Sequence, residues 1–246
     1  MIPIRDNIPS RRTPVMTWAL IAINAIVFIY ELTLDPEAVE RLVYLFGVVP
    51  ARYSHPGWAR WIGFPVDSYW PFLTSMFLHG GWLHLIGNMW TLWIFGDNVE
   101  DRMGPWRYLV FYLLCGLAAG ITHWLTNADS TMPTVGASGA IAGVLGAYFV
   151  MYPRSRIIVM FPVFFFPFFF WMPSVVYLLF WFLSQMLSAT LSGLRAQDAG
   201  GIAWWAHVGG FAAGVLLHWL FILPGGEARR SWQRDETAVD GVWARH

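Results

Sequence analysis

Lysine is absent from this chain of 246 residues, cysteine occurs once, and charged side chains are scarce. All fifteen basic residues are arginines and fifteen acidic residues balance them, so the net charge indicates no particular partner. A soluble domain has about a quarter of its residues charged, whereas this chain has 12%. The single Cys115 lies in an apolar run, which excludes an internal disulfide. With 57% hydrophobic residues, these absences exclude a soluble enzyme, a disordered chain and a free nucleic-acid binder.

Six apolar stretches are long enough to cross a bilayer, which takes about 20 residues in a helix. A further apolar stretch, Ile157–Met172, is interrupted by Pro162 and Pro167. Each proline removes a helix hydrogen bond that lipid does not replace, so we expect a broken interfacial segment there, with a seventh span as the alternative. The sequence therefore predicts an all-α membrane protein, a bundle of six transmembrane helices at Met16–Leu34, Phe72–Phe95, Tyr108–Leu125, Val135–Met151, Ser174–Leu194 and Ile202–Leu223.

The arginines indicate an orientation, because cytoplasmic loops of membrane proteins are enriched in basic residues. With the N-terminus inside, eleven arginines lie in inner segments, and four lie in outer ones: Arg41, Arg52, Arg60 and Arg195. We expect both termini to be cytoplasmic, and a bacterial inner membrane because the N-terminal segment is short and lacks a transit peptide. The predicted domains are a cytoplasmic segment 1–15, a transmembrane domain 16–223 and a mobile cytoplasmic tail 224–246.

Polar side chains at membrane depth are functional candidates, because they cost free energy unless they have a partner. A spacing of four residues places His84 and Asn88 on one face of the second span. The second, fourth and sixth spans run in the same direction, and His84, Ser138 and His207 each lie near the start of their span, so we expect them at similar depth. A lone intramembrane serine or histidine is more often a packing residue, and only the joint set favours a site. Gln185 in the fifth span is interpreted as an interhelical hydrogen-bonding residue.

Two glycine stripes predict which helices approach closely. Small residues allow two backbones to come together in a membrane. In the sixth span, His207 shares a face with Gly210 and Gly214. We therefore expect the fourth and sixth helices to pack tightly enough for Ser138 to meet His207. The stripe on the fourth span consists of Gly136, Gly139, Gly143 and Gly146.

A hydroxyl, a base and oxyanion donors are the groups that serine acyl chemistry requires. Ser138 would be the nucleophile and His207 the base, with the His84 ring, the Asn88 amide and the Ser138 backbone N–H as oxyanion donors. Asp129 and Asp198 belong to loops, which favours a dyad without a carboxylate. No H-E-x-x-H zinc pattern is present in the sequence. The alternative is a transporter or channel with a histidine proton relay, which the lack of deep acidic residues disfavours.

Four motifs, in this order on the predicted spans, resemble the rhomboid family of intramembrane serine proteases over about Trp70 to Leu223. The resemblance implies a six-helix bundle with a water-filled cavity open to the outer side, and no metal or organic cofactor. It implies cleavage of single-pass transmembrane substrates near the outer leaflet. The motifs are His79-x4-His84-x3-Asn88, Glu100-x3-Gly104, Gly136-Ala-Ser138-Gly139 and Ala206-His207-x2-Gly210.

The resemblance also assigns roles. Ser138 would be the nucleophile, His207 the general base, and His84 and Asn88 the oxyanion donors. Further residues would be structural, namely His79, Gly136, Gly139 and Gly210 near the site and Glu100 and Gly104 at the cytoplasmic turn. Trp181 and Phe182 of the fifth span would form a lateral gate against the second span.

Two departures from the family pattern concern how the site is held. Trp70-Pro71 stands where the first loop often has a Trp-Arg pair, which concerns loop anchoring. Ala142 replaces a tyrosine that stacks on the catalytic histidine in some members, so we expect another aromatic residue to hold His207. A non-catalytic relative that binds membrane clients is a further alternative, but such relatives typically lack the serine or the histidine.

Overall fold

The computed structural model describes residues 1–163, 166–194 and 203–223. The predicted tail 224–246, the start of the predicted sixth span at Ile202, and Asp198 lie outside the described residues. The described helices are α1 (Val15–Leu32), α2 (Pro36–Phe46), α3 (Pro50–Ser54), α4 (Pro56–Trp61), α5 (Pro71–Thr74), α6 (Trp82–Met103), α7 (Pro105–Thr126), α8 (Ser138–Met151), α9 (Ser174–Leu194) and α10 (Trp204–Phe221), with a 3₁₀ turn at Ser75–Phe77.

Helix α8 is the centre of the bundle. Every residue from Gly139 to Tyr148 is buried, and α8 packs against α6, α7 and α10. Its 14 residues extend about 21 Å, whereas the hydrocarbon layer of a bilayer is about 30 Å thick. A helix this short cannot cross the whole layer, so when one of its ends lies at a membrane surface the other lies inside the hydrocarbon layer. The first residue of α8 is Ser138.

By length and apolar composition, two helices in the described part of the chain could cross a bilayer, α1 and α7. Helix α8 and the Ser174–Ser188 part of α9 are shorter apolar helices. The bounds of α9 coincide with the predicted fifth span. The count of six spans stays a prediction.

The second predicted span, Phe72–Phe95, begins too early. The chain instead forms the short α5 and the 3₁₀ turn, and α6 starts only at Trp82. Gly81 precedes it with a φ of 154°, a backbone conformation that favours glycine. His79 therefore lies in the connection before α6, and its ring can turn toward the helix that follows.

The described part of the chain is mainly helical, as expected, but it is not all-α, because it also contains a three-stranded antiparallel sheet. Strands β1 (Ile2–Asp6), β2 (Arg156–Val163) and β3 (Phe166–Pro173) lie in that order. The segment predicted as a broken interfacial stretch thus forms two strands, with Pro162 opposite Pro167. Prolines remove helix hydrogen bonds, while aromatic and β-branched residues favour strands. Pro167 lies in the edge strand β3, and Pro162 lies beyond the part of β2 that pairs with β1, so both positions tolerate proline.

The first residues of the chain are fixed to the helices through β1. The Trp90 indole donates to the carbonyl of Pro3 at 2.7 Å. The carboxylate of Asp6 accepts hydrogen bonds from the Tyr148 hydroxyl and from the Asn98 amide. Burial raises the pKa of Asp6 to about 7, against the opposing effect of the Tyr148 hydrogen bond. Residues 2–6 therefore pack against α6 and α8, and the boundary between segment 1–15 and the transmembrane domain stays a prediction.

Glu100 holds the first turn of α1. Its carboxylate accepts from the backbone N–H groups of Met16 (2.9 Å) and Thr17 (2.7 Å) and from the Thr17 hydroxyl (2.8 Å). The first N–H groups of a helix have no partner within the helix, and negative charge is favourable there. Glu100 thus connects α6 to α1.

Candidate active site

Helices α8 and α10 meet backbone to backbone. A Cβ atom added at Gly210 would lie 2.0 Å from the carbonyl oxygen of Gly139, and one at Gly214 would lie 1.9 Å from that of Gly143. One added at Gly139 would lie 2.6 Å from the Cβ of Ala119 on α7. Any side chain at these positions would separate the helices. The close approach expected from the glycine stripes is therefore present.

This packing brings Ser138 and His207 together. Ser138 is the first residue of α8, and His207 lies in the first turn of α10. The Oγ atom of Ser138 lies 2.8 Å from Nε2 of His207, which is hydrogen-bonding distance. A hydroxyl next to an unprotonated ring nitrogen can lose its proton to that nitrogen, which makes the oxygen a nucleophile.

The other predicted polar residues of the second span lie beside this pair. Asn88 is buried, and its amide donates to Nε2 of His79 at 3.0 Å. The ring of His84 contacts that of His79 edge to face. His84 and Asn88 both approach Gly136, where an added Cβ would lie 2.6 Å from Nε2 of His84 and 3.6 Å from Nδ2 of Asn88. The structure thus brings these polar groups next to Gly136, which precedes Ser138 by two residues in the sequence.

Gly136 and His79 are held by contacts to other parts of the chain. Gly136 has a φ of 128°, and its backbone N–H donates to the carbonyl of Ser75. The backbone N–H of His79 donates to the carboxylate of Glu31, which is buried at the end of α1. These bonds fix the connection that precedes α6.

One further partner of His207 was not identified from the sequence as part of the site. Nδ1 of His207 lies 2.7 Å from Oε1 of Gln185 on α9, so the amide oxygen accepts from the ring N–H. Aromatic residues were expected near His207, and two are present. The ring centroid of His207 lies 6.0 Å from that of Trp181 and 6.1 Å from that of Trp204. No helical periodicity could pair Gln185 with His207, because the two residues belong to different helices.

The polar groups line one cavity of about 640 Å³, which contains Ser138, His207, His84 and Asn88 on its walls. His123 of α7, which was not among the predicted site residues, also lines it. Its ring accepts from or donates to the Thr134 hydroxyl at 2.8 Å. The only signal for His123 in the sequence was a polar residue near the end of an apolar stretch.

Other predicted residues lie away from the pair. Asp129 is exposed and lies 2.7 Å from the ring of His55, so it does not orient His207. Trp181 and Phe182, the implied gate residues, pack on Phe211 of α10. Helix α9 instead meets α6 through Tyr177, which stacks on Phe95.

The sequence profile of the Rhomboid domain matches residues 66–224, more than half of the chain. Three curated relatives illustrate the similarity. "RHOMBOID-like protein 5" of Arabidopsis thaliana is 38% identical over 78 residues, 32% of this chain and 25% of the relative. "Rhomboid protease GluP" of Bacillus subtilis is 41% identical over 80 residues, 32% of this chain and 15% of the relative. "Rhomboid protein 1, mitochondrial" of Saccharomyces cerevisiae is 30% identical over 159 residues, 63% of this chain and 42% of the relative. The chain thus spans less than half the length of each of these three proteins.

Proposed function

Because the chain belongs to the rhomboid family of integral membrane proteins, we propose that it is an intramembrane serine endopeptidase that uses a Ser138–His207 dyad. The observation that supports this most is the 2.8 Å approach of Ser138 Oγ to His207 Nε2 on the wall of a cavity. The name of a similar protein, "Rhomboid protease GluP", agrees with this activity.

In the proposed reaction, His207 Nε2 takes the proton of Ser138 as its Oγ attacks a peptide carbonyl carbon. The carbonyl oxygen becomes an oxyanion, for which the His84 ring, the Asn88 amide and the Ser138 backbone N–H are the donors. His207 then gives its proton to the leaving amine, and water hydrolyses the acyl-enzyme by the same steps. One oxyanion donor typically contributes about 10²–10³-fold to turnover.

The proposed substrates are single-pass transmembrane proteins. Their scissile carbonyl is hidden in helix hydrogen bonds, so segments with glycine or proline near the cut would open most easily. We propose six spans with both termini on the cytoplasmic side of a bacterial inner membrane, and cleavage near the outer leaflet. The short α8, which begins at Ser138, supports a reaction below the membrane surface.

Labelling with a fluorophosphonate probe in detergent tests the proposal. We expect the wild-type protein to be labelled and Ser138→Ala and His207→Ala to be unlabelled. Asp129→Asn is the matched control, because its carboxylate contacts His55 and not His207. Equal labelling of wild type and Ser138→Ala would refute the assignment of the nucleophile.

A further inference from the structure

Gln185 is a buried amide in the middle of an apolar helix, with its oxygen 2.7 Å from His207 Nδ1. A buried amide must satisfy both its oxygen and its nitrogen, and in the described residues the nitrogen is 3.2 Å from the hydroxyl of Ser184. The side chain thus joins α9 to the ring that contacts Ser138.

The neighbouring hydrogen bonds determine which way this amide is turned. The Ser184 hydroxyl lies 2.6 Å from the backbone carbonyl of Trp181, where only the hydroxyl can donate. The Ser184 oxygen is therefore left to accept from the Gln185 N–H, and the Gln185 oxygen faces His207. Nδ1 of His207 must then bear the hydrogen.

The tautomer of His207 follows from that assignment. A neutral imidazole has a single N–H, so a hydrogen on Nδ1 leaves Nε2 with a free lone pair. Nε2 is the atom that lies 2.8 Å from Ser138 Oγ. The Ser138 hydroxyl can then donate to Nε2, which is the arrangement that proton removal requires. The opposite tautomer would place a hydrogen on Nε2 and block it.

We propose that Gln185 is the positioning residue of His207 and holds the ring in the tautomer that accepts the Ser138 proton. The proposal rests on the proposed function and extends the dyad to a triad of side chains from α8, α10 and α9. An amide fixes orientation and tautomer but adds no negative charge near the ring. Because Gln185 lies on α9, the base is oriented only while α9 remains packed against α10.

The test compares the saturation kinetics of fluorophosphonate labelling between variants of the full chain. Gln185→Met keeps the size of the side chain and removes the acceptor. We expect its maximal rate of inactivation to fall about tenfold or more, as for loss of a hydrogen bond worth roughly 1.4 kcal/mol, with probe affinity unchanged. Gln185→Glu keeps an acceptor oxygen for the His207 Nδ1–H and should restore most of the lost rate. Thr190→Val is the matched control, since the exposed Thr190 hydroxyl bonds only to the backbone of its own helix among the described contacts.

Nitrogen-15 NMR of the histidine rings supplies a readout that a packing role would not change. The signals of His207, assigned by their loss in His207→Ala, should show hydrogen on Nδ1 in wild type and a mixture of tautomers in Gln185→Met. If Gln185→Met does not fold, Ser184→Ala replaces it, because it releases the amide orientation and should also give mixed tautomers.

The role of Gln185 would be overturned if Gln185→Met kept the Nδ1–H tautomer of His207 and was inactivated by the probe at the same maximal rate as Thr190→Val. Failure of the proposed function has a different signature, namely a wild-type protein that is unlabelled or is labelled equally after Ser138→Ala. The two failures are therefore distinguishable in one set of measurements.

Discussion

Gly210→Ala tests whether the backbone contact between α8 and α10 sets the distance between Ser138 and His207. The added Cβ would lie 2.0 Å from the carbonyl oxygen of Gly139, and real Cβ atoms essentially never approach closer than 3.0 Å. The helices must therefore separate locally by about 1 Å. The Ser138–His207 distance of 2.8 Å would lengthen to about 3.8 Å, beyond hydrogen-bonding range.

We expect two effects of this separation. Loss of proton transfer should lower the labelling rate by about 10²–10⁴-fold. Overpacking should lower the free energy of unfolding by about 1–3 kcal/mol, which thermal denaturation in detergent would detect. Gly87→Ala on α6 is the control, because a Cβ there would meet no atom within 4 Å. Wild-type labelling and wild-type thermal stability in Gly210→Ala would show that the α8–α10 contact does not set the Ser138–His207 distance.

Three further predictions concern other contacts. The pKa of Asp6 is about 7 in the folded state against 3.8 for an unburied carboxyl, so the folded state binds this proton more tightly. The contribution of Asp6 to the free energy of unfolding is therefore complete below about pH 4 and is lost as the pH rises to 7. Asp6→Asn should therefore flatten the decline in the free energy of unfolding over that range in denaturation titrations. Glu100→Gln should lower the free energy of unfolding by about 1–2 kcal/mol, because Thr17 loses charge-assisted hydrogen bonds. Labelling should be preserved. Gly136→Ala should abolish labelling, because it combines a φ of 128° with a contact of 2.6 Å to His84.

Controls for these predictions come from the same chain. Gly63 has a φ of 88° and open space around an added Cβ, so Gly63→Ala should preserve labelling. Glu40→Gln changes an exposed carboxylate and should leave thermal stability unchanged. An unaltered pH dependence in Asp6→Asn, or active Gly136→Ala, would contradict the corresponding prediction.

The sequence predicted contacts that depend on composition and helical spacing. The α9 bounds follow from an apolar run between Pro173 and a polar segment, and the α8–α10 contact follows from glycines at helical intervals. The family resemblance, stated from four short motifs, is confirmed by the match over residues 66–224. Local pattern was sufficient because each of these signals, whether an apolar run, a glycine stripe or a short motif, lies within a short stretch of the sequence.

Contacts between distant segments were beyond that reasoning. The pairing of β1 with β2 joins residues more than 150 positions apart, such as Ile2 and Met160, and a five-residue strand has no distinctive periodicity. The turn before α6 allows the His79 ring to reach Asn88, although a continuous helix would place them on different faces. The bond between Gln185 and His207 likewise required knowledge of how α9 and α10 pack.

The glycine contact between α8 and α10 has a consequence for how a bulky polypeptide could reach the hydroxyl. An interface of main-chain atoms has no rotamers through which to rearrange, so these two helices have one stable packing and little tolerance for sliding. Under the proposed function, the opening for such a polypeptide would come from neighbouring segments whose contacts are made by side chains, such as the aromatic rings of Tyr177 and Phe95 between α9 and α6.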